Sequence, residues 1–304
     1  MEKELIKLYK KRMFGEKLSD ALDFVRENWR PLLKYITYLL LPVSVVQTFF
    51  MDSFMSGYTS ALAGMQHMAL SEMLPWLSSM GLLVVVQYVG IMLLVALTYT
   101  MMQLYEQRPR LNGIVWADLK AGVMTKTLRM LVLLFCGFAV ALTCLAFIML
   151  LTGISPVLML PGALILMLAS PLLALVTPVY LCEKVSVIGA FSKSLRLGWR
   201  TWAGIVGVIF VLYLLVSIVQ GVVSMPWYMM LVAKNILTTQ GGSAGFVSSF
   251  GYTALQFVLG VVSSFVTNCL MVLPIVGLAY QYGHACDKVD GISVDRDIEN
   301  FETL

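Results

Sequence analysis

The chain has 304 residues, of which 59% are hydrophobic and only 12% are charged, and its mean hydropathy is +0.85. Soluble domains carry about 25% charged residues, and a soluble core of this length could not bury so much apolar surface. The composition therefore excludes an ordinary soluble domain and indicates a chain for which lipid is the main solvent. The formal net charge is +4, and the basic residues are unevenly distributed.

The N-terminal segment, residues 1–34, carries nine of the 21 Lys and Arg residues, which is more charge than a cleavable signal peptide tolerates. Apolar side chains recur at helical spacing on one face of residues 18–30. They are Leu18, Ala21, Leu22, Val25 and Trp29. Arg26 and Arg30 take the opposite face. This pattern is typical of a helix that lies in the membrane interface and turns into a span, and we call such a basic amphipathic helix an elbow.

Long stretches without Asp, Glu, Lys or Arg follow, and a spanning helix needs about 20 such residues. The stretches are Tyr35–Met51, Leu77–Tyr105, Met130–Cys182, Thr201–Ala233 and Asn235–Cys286. The third is long enough for two helices and is divided by Pro156, while Gly241, Gly242 and Gly245 mark a loop in the last. The sequence therefore predicts six transmembrane helices, at about 35–54, 77–104, 130–151, 157–181, 202–224 and 253–281.

Positive charge alternates between the connections. Residues 105–130 carry five Lys and Arg, residues 182–200 carry four, and the tail after Cys286 carries two. The other connections carry almost no Lys or Arg: there is none in 53–76 or 152–156, and only Lys234 in 225–252. Cytoplasmic loops are enriched in Lys and Arg. We therefore expect a bacterial cytoplasmic (inner) membrane protein with both termini cytoplasmic: a basic segment at 1–34, a six-helix domain at 35–286 and an acidic tail at 287–304.

Two further segments resemble the first elbow. In residues 187–202 the apolar face is Ile188, Phe191, Leu195 and Trp202, and the basic face is Lys193, Arg196 and Arg200. Residues 114–129 form a weaker copy. Trp29, Trp116 and Trp199 recur at intervals of 87 and 83 residues, which indicates three degenerate repeats of elbow, span, outer loop and span. The alternative is that membrane proteins generally place Trp at interfaces.

Enzyme motifs are missing from the sequence. It has two histidines, His67 and His284, and no H-E-x-x-H, G-x-S-x-G or P-loop pattern. None of its five cysteines forms a C-x-x-C pair, and the acidic tail lacks calcium-loop spacing. We therefore expect no catalytic residue, no metal or other cofactor, and no nucleic-acid partner. The chain is predicted to be an all-α polytopic bundle that is not an enzyme.

Two short motifs carry a resemblance. Residues 178–183 read PVYLCE and residues 190–200 read AFSKSLRLGWR. This combination resembles bacterial six-span proteins similar to the membrane domain of glycerophosphoryl diester phosphodiesterases, with Pro178, Glu183, Ser194 and Gly198 as the matching residues. In those fusions the phosphodiesterase activity belongs to a separate soluble domain, which this sequence lacks. The resemblance therefore implies a membrane architecture and transfers no catalytic residue.

The elbows are the feature with a physical reason to contact something outside the bundle. A Lys or Arg near an anionic leaflet contributes about 1 kcal/mol to binding. The leading hypothesis is a non-enzymatic membrane-organising module that contacts anionic lipid headgroups at the cytoplasmic face, or anchors a partner protein. The contact residues would be Arg26, Trp29, Arg30, Lys193, Arg196, Trp199 and Arg200.

An alternative hypothesis is an uncoupled transporter or channel for a small apolar or zwitterionic solute. Its motivation is the proline-rich fourth span together with the polar residues Gln256, Thr267 and Asn268 in the sixth. Coupled transport usually needs an ionisable group inside the membrane, and we expect none in the spans of this chain.

Overall fold

The structure is a computed structural model that describes residues 6–64, 70–108, 111, 113–239 and 244–292. The regular secondary structure of these residues is helical, without a strand, which confirms the all-α prediction. A short 3-10 helix lies at Pro156–Leu158. The α-helices in chain order are α1 (Phe14–Glu27), α2 (Trp29–Gly64), α3 (Leu70–Gln107), α4 (Trp116–Ile154), α5 (Met159–Ala174), α6 (Val176–Cys182), α7 (Val187–Thr239), α8 (Ala244–Val247), α9 (Phe250–Leu270) and α10 (Val272–Asp290).

Six helical segments are long and apolar enough to cross a membrane, as the sequence predicts. They run over Trp29–Met55, Trp76–Gln107, Trp116–Ile154, Pro156–Cys182, Val187–Lys234 and Phe250–Asp290. The third and fifth begin well before the predicted limits of 130 and 202. The reason is that elbow and span share one helix in α4 and in α7. The chain is thus built as a multi-pass membrane protein.

The described residues group into two compact units. The first is formed from the described residues within 6–31, 95–213 and 273–292, and the second from those within 32–94 and 214–272. All three elbows belong to the first unit. Most of the acidic tail predicted at 287–304 lies outside the described residues, and α10 extends into its start as far as Asp290.

Two elbows end in the same backbone bend. Asn28 follows α1 with φ −111° and ψ 18°, and Thr201 interrupts α7 with φ −128° and ψ 19°. Each side chain donates a hydrogen bond to the carbonyl oxygen four residues earlier, which is Phe24 O at 3.0 Å and Leu197 O at 2.8 Å, respectively. Side chains that bond to this carbonyl compete with the helical backbone and promote bending.

The bends change the register of the predicted repeat. Because Asn28 corresponds to Thr201, Trp29 corresponds to Trp202 and not to Trp199, with which the sequence spacing had paired it. The elbow of α4 lacks this bend, since α4 is continuous from Trp116 to Ile154. The first and third elbows therefore share a local geometry that the second does not.

The fourth span contains several prolines and is not one continuous helix. Ser155 is extended and separates α4 from the 3-10 helix that begins at Pro156. A second break at Leu175 divides α5 from α6. Pro171 has no N–H to offer to Met167 O, and the Ser170 hydroxyl donates to that oxygen instead, at 2.8 Å.

The sixth span differs from its prediction as one helix over 253–281. It begins earlier, at Phe250, where the Ser249 hydroxyl caps the helix by accepting from Tyr252 N–H. It is also interrupted at Met271, between α9 and α10. Pro274 explains the interruption, because it cannot donate a hydrogen bond to the carbonyl oxygen of Leu270.

Candidate functional site

Each elbow buries a stripe of four residues, spaced by four, three and four positions. The stripes are Lys17, Ala21, Phe24 and Asn28 in α1, Leu119, Val123, Lys126 and Met130 in α4, and Ala190, Ser194, Leu197 and Thr201 in α7. This spacing follows one face of a helix. The adjacent apolar face stays uncovered, with Leu22 and Trp29 exposed in the first elbow and Ile188 and Leu195 in the third. The elbows thus have one face for the protein and another for its surroundings.

Six of the seven predicted surface-contact residues are exposed: Arg26, Trp29, Arg30, Arg196, Trp199 and Arg200. Trp29 is 52% exposed and Trp199 is 77% exposed. Each of these tryptophans is followed directly by an arginine, and the Arg30 guanidinium lies 5.5 Å from the centre of the Trp29 ring. Each of the two bent elbows therefore exposes one pair of consecutive residues, a tryptophan followed by an arginine.

Lys193, the seventh residue, has a different environment. Its Nζ lies 2.7 Å from Glu183 Oε1 and 3.5 Å from Asp290 Oδ2, and its side chain is only 21% exposed. Asp290 also pairs with the exposed Arg196, at 2.9 Å. Lys193 is thus engaged in holding α7 to the ends of α6 and α10.

Ser194 and Gly198, two of the residues that carry the family resemblance, dock α7 onto α5. Ser194 Oγ donates to Leu172 O at 2.7 Å, and Trp202 Nε1 donates to Leu168 O at 2.9 Å. Gly198 lies between them, and a Cβ at this position would come within 2.9 Å of Leu172 Cα. Small residues allow such close backbone approach in membrane helices. Serine, glycine and tryptophan at four-residue intervals thus form one docking face.

Pro178 and Glu183, the other two residues of the resemblance, belong to α6 and its C-terminal end. Pro178 is buried in the short helix. Glu183 Oε1 accepts hydrogen bonds from Lys193 Nζ and from the Tyr282 hydroxyl. Arg129 donates to the backbone oxygen of Glu183 at 3.1 Å. Glu183 therefore connects α4, α7 and α10 and has a structural role in this geometry.

The N-terminal segment before α1 is fixed against α10. The Arg12 backbone N–H donates to His284 Nδ1 at 3.0 Å, and the Arg12 guanidinium pairs with Asp20 at 2.6 Å. A Cβ at Gly283 would lie only 2.0 Å from Leu8 O, so the contact requires glycine. The sequence pattern alone did not reveal this contact, because its partners are more than 270 residues apart.

A basic cavity of about 460 Å³ lies in the first unit, between residues of α1, α7 and α10. Lys17, Arg200, His284 and Lys288 contribute its basic groups. Trp199 and Trp202 contribute aromatic surface, and no acidic side chain among the described residues lines it. Of these residues, only Arg200 and Trp199 are among the contact residues that the sequence predicts.

A second cavity, of about 420 Å³, lies in the second unit and has no charged lining among the described residues. Gln47 Nε2 donates to Gln87 Oε1 at 2.8 Å, and Gln47 Oε1 accepts from Asn268 Nδ2 at 3.3 Å. The buried indole N–H of Trp227 lies in the wall and has no hydrogen-bond partner in the described part of the chain. Thr267 and Asn268, two of the polar residues named for the transport hypothesis, line this cavity.

Gln256, the third polar residue of that hypothesis, lies elsewhere in the second unit. The Asp52 carboxylate lies close to the Gln256 side chain, and the positive charge of Lys234 acts on it. Asp52 falls inside the first span, Trp29–Met55. The uncharged stretch ends at Met51, but the helix that it belongs to continues past Asp52 to Gly64.

No protein-family model, curated protein or solved structure matches this chain. The resemblance to phosphodiesterase membrane domains thus rests on the sequence motifs. For Ser194 and Gly198 the structure supplies a physical role, the close docking of α7 on α5.

Proposed function

We propose that the protein resides in the bacterial cytoplasmic membrane with both termini in the cytoplasm, where it binds anionic lipid headgroups through its elbows as a non-enzymatic membrane-organising module. The distribution of Lys and Arg between alternate connections supports this orientation. In it, the three elbows lie at the level of the cytoplasmic headgroups. Anionic lipids give that surface a negative potential, which attracts basic side chains held beside it.

The uncovered Trp–Arg pairs are the observation that carries this proposal. Trp29–Arg30 and Trp199–Arg200 remain exposed although the neighbouring stripe of each elbow is packed on the protein. Tryptophan prefers the membrane–water interface, because its ring is apolar and its N–H is polar. A guanidinium next to it can donate two parallel hydrogen bonds to a phosphate. Each pair is thus suited to a phospholipid headgroup.

Nanodiscs that contain phosphatidylglycerol and phosphatidylcholine in equal amounts provide the test. Native mass spectrometry would count the lipids that remain on the released protein. We expect wild type to retain phosphatidylglycerol preferentially. The triple variant Arg26→Gln/Trp29→Ser/Arg30→Gln should reduce that preference, because each removed charge near the leaflet contributes about 1 kcal/mol.

The matched control removes two other exposed cations, in the double variant Arg108→Gln/Lys184→Gln. These residues lie in connections on the same predicted side of the membrane but outside the buried-stripe elbows. The control should keep the preference for phosphatidylglycerol. Equal preference in wild type and in a folded triple variant would refute the proposal.

A second candidate function is the binding or passage of a small neutral or zwitterionic solute, and the uncharged cavity of the second unit favours it. Its walls offer amide and hydroxyl groups, and the Trp227 N–H is a buried donor without a partner. A buried donor of this kind costs about 1–3 kcal/mol, which a solute with an acceptor oxygen would recover. A polyol or amino acid that binds in the cavity should raise the Tm of the detergent-solubilised wild-type protein. The same solute should leave the Tm of the Asn268→Leu variant unchanged. No stabilisation by any neutral or zwitterionic solute would reject this candidate.

A further inference from the structure

Lys17 is a buried cation without an acidic partner. It is 4% exposed, and its Nζ donates to Gln281 Oε1 at 2.8 Å. Within the described residues no carboxylate lies at ion-pair distance from it. Buried charges in proteins are normally paired, because removing an ion from water is costly. The neutral amide oxygen of Gln281 accepts from one of the three N–H donors of the Lys17 ammonium and does not neutralise its charge.

The surroundings of Lys17 add donors and more positive charge. The basic cavity places Arg200, His284 and Lys288 in the same lining. Because His284 Nδ1 accepts from Arg12 N–H, the neutral ring carries its proton on Nε2 and is a donor there. Gln281 is fully buried, and its Nε2 has no hydrogen-bond partner in the described part of the chain.

The nearby acidic groups do not balance this charge. Asp20 is paired with Arg12 at 2.6 Å, and Asp290 is paired with Lys193 and Arg196. Asp287 acts electrostatically on His284 but does not line the cavity. The cavity therefore combines several cations and an unused amide donor with no acceptor of opposite charge.

We propose that the cavity formed by Lys17, Arg200, Gln281, His284 and Lys288 is a binding site for a phosphate group, which a phospholipid headgroup of the cytoplasmic leaflet supplies. The proposal rests on the proposed function and gives it a defined site. A phosphate would accept from the ammonium groups, the guanidinium and the Gln281 N–H together. The exposed Trp199 at the rim is the type of residue that lies at headgroup depth.

The cavity is large enough for such a group. Its volume of about 460 Å³ is within the range of small-molecule sites. Gly204 keeps it open, since a Cβ there would lie 3.1 Å from Gln281 Nε2 and 3.5 Å from Lys17 Nζ. Burial, with the positive charges of Lys288 and Arg12, lowers the pKa of Lys17 to about 8. An anion beside Lys17 would reverse this shift, so binding near pH 8 should be accompanied by proton uptake.

The experiment uses the full chain, delipidated in a neutral maltoside detergent. Phosphatidylglycerol, phosphatidylcholine, sn-glycerol 3-phosphate and inorganic phosphate are titrated separately, and binding is followed by calorimetry in two buffers of different ionisation enthalpy. We expect one phosphatidylglycerol per chain to bind with proton uptake at pH 8. The double variant Lys17→Gln/Lys288→Gln should bind at least tenfold more weakly, whereas Arg108→Gln/Lys184→Gln should bind like wild type.

Gly204→Val provides a second variant that fills the cavity without a change of charge, in case the lysine variant does not fold. The Gly204→Val variant should also fail to bind phosphatidylglycerol at this site. Binding of sn-glycerol 3-phosphate or inorganic phosphate with the same variant dependence would support the phosphate site and identify a soluble source. Failure of all four probes to bind, or binding that neither variant reduces, would overturn the inference.

The result also separates this site from the elbow surface. Arg26→Gln/Trp29→Ser/Arg30→Gln leaves every residue of the cavity unchanged. If the phosphatidylglycerol preference of this variant in nanodiscs is weaker than that of wild type but the single calorimetric site is kept, both proposals stand. If it keeps the preference and the cavity variants lose the site, the elbow proposal fails and the phosphate site remains.

Discussion

Glu183 Oε1 and Lys193 Nζ lie 2.7 Å apart and connect the end of α6 to the elbow of α7. Neither side chain is more than 21% exposed, so the pair is shielded from solvent more than an ordinary surface salt bridge. Tyr282 adds its hydroxyl to the same carboxylate oxygen. The residue that the sequence selected as a family-like position and the one it selected as a membrane contact are therefore partners.

Replacing Glu183 should destabilise the protein. In Glu183→Gln the Lys193 ammonium loses the negative charge at 2.7 Å and retains the more distant carboxylate of Asp290, at 3.5 Å. Hydrogen bonds to charged groups contribute about 1.5–3 kcal/mol, and we expect a loss at the lower end because the site is partly exposed. Thermal unfolding in detergent would show a reduced Tm. The exposed neighbour Lys184 provides the control, and an unchanged Tm in Glu183→Gln would contradict the structural role.

The docking of α7 on α5 should be sensitive to a single methyl group. In Gly198→Ala the new Cβ would meet the Leu172 backbone at 2.9 Å, and backbone cannot rotate away. Overpacking of this kind costs about 1–3 kcal/mol. Gly221→Ala, in the same helix with no atom within 4 Å of its Cβ, is the matched control. It should be neutral or slightly stabilising, so equal effects on Tm would argue against the close approach.

Arg129 should not be replaceable by lysine. Its guanidinium donates to Glu183 O and Val185 O and lies 4.3 Å from the centre of the Tyr180 ring. A planar fork can make these contacts together, whereas an ammonium is a point charge. We expect Arg129→Lys to lose about 1–2 kcal/mol of stability from stacking and hydrogen bonding. The exposed Arg108→Lys should leave the Tm unchanged, and similar behaviour of both variants would refute the prediction.

Lys17 should make the stability depend on pH in the alkaline range. The pKa of Lys17 is lowered to about 8 in the folded protein, chiefly by burial, and is about 10.4 in an unfolded chain. Between about pH 8 and pH 10.4 the unfolded state binds more protons than the folded state, so the free energy of unfolding rises with pH. Below pH 8 Lys17 is charged in both states, and the full cost of burying its charge is present. The Tm difference between lipid-free wild type and Lys17→Met should shift in favour of wild type from pH 7 to pH 10. Parallel curves would disprove this assignment.

The sequence predicted the six spans, and it did so for a simple reason. Uncharged stretches of about 20 residues, separated by basic connections, are the pattern expected of membrane-spanning helices. The breaks at Pro156 and in the fourth span follow from proline's missing N–H. The exposure of Trp29, Arg30, Trp199 and Arg200 also agrees with the amphipathic pattern. These features depend on neighbours within one helix, where periodicity is informative.

The two cavities could not be predicted in the same way. Lys17 reads as one more basic residue of the N-terminal segment, and only its contact with Gln281, 264 residues away, shows that it is buried. Lys193 likewise belongs to a basic face by its spacing, but Glu183 and Asp290 reach it from other elements. Tertiary packing decides which charged side chains face the protein and which remain exposed. The periodicity of one helix carries no information about its contacts with the others.

The contact between Leu8 and Gly283 has a consequence for biosynthesis. Arg12 finds its partner His284 only after 272 further residues have been made, which takes roughly 15–50 s at ribosomal speed. The segment before α1 thus leaves the ribosome long before the helix that fixes it. Completion of α10 is therefore the event that closes the first unit.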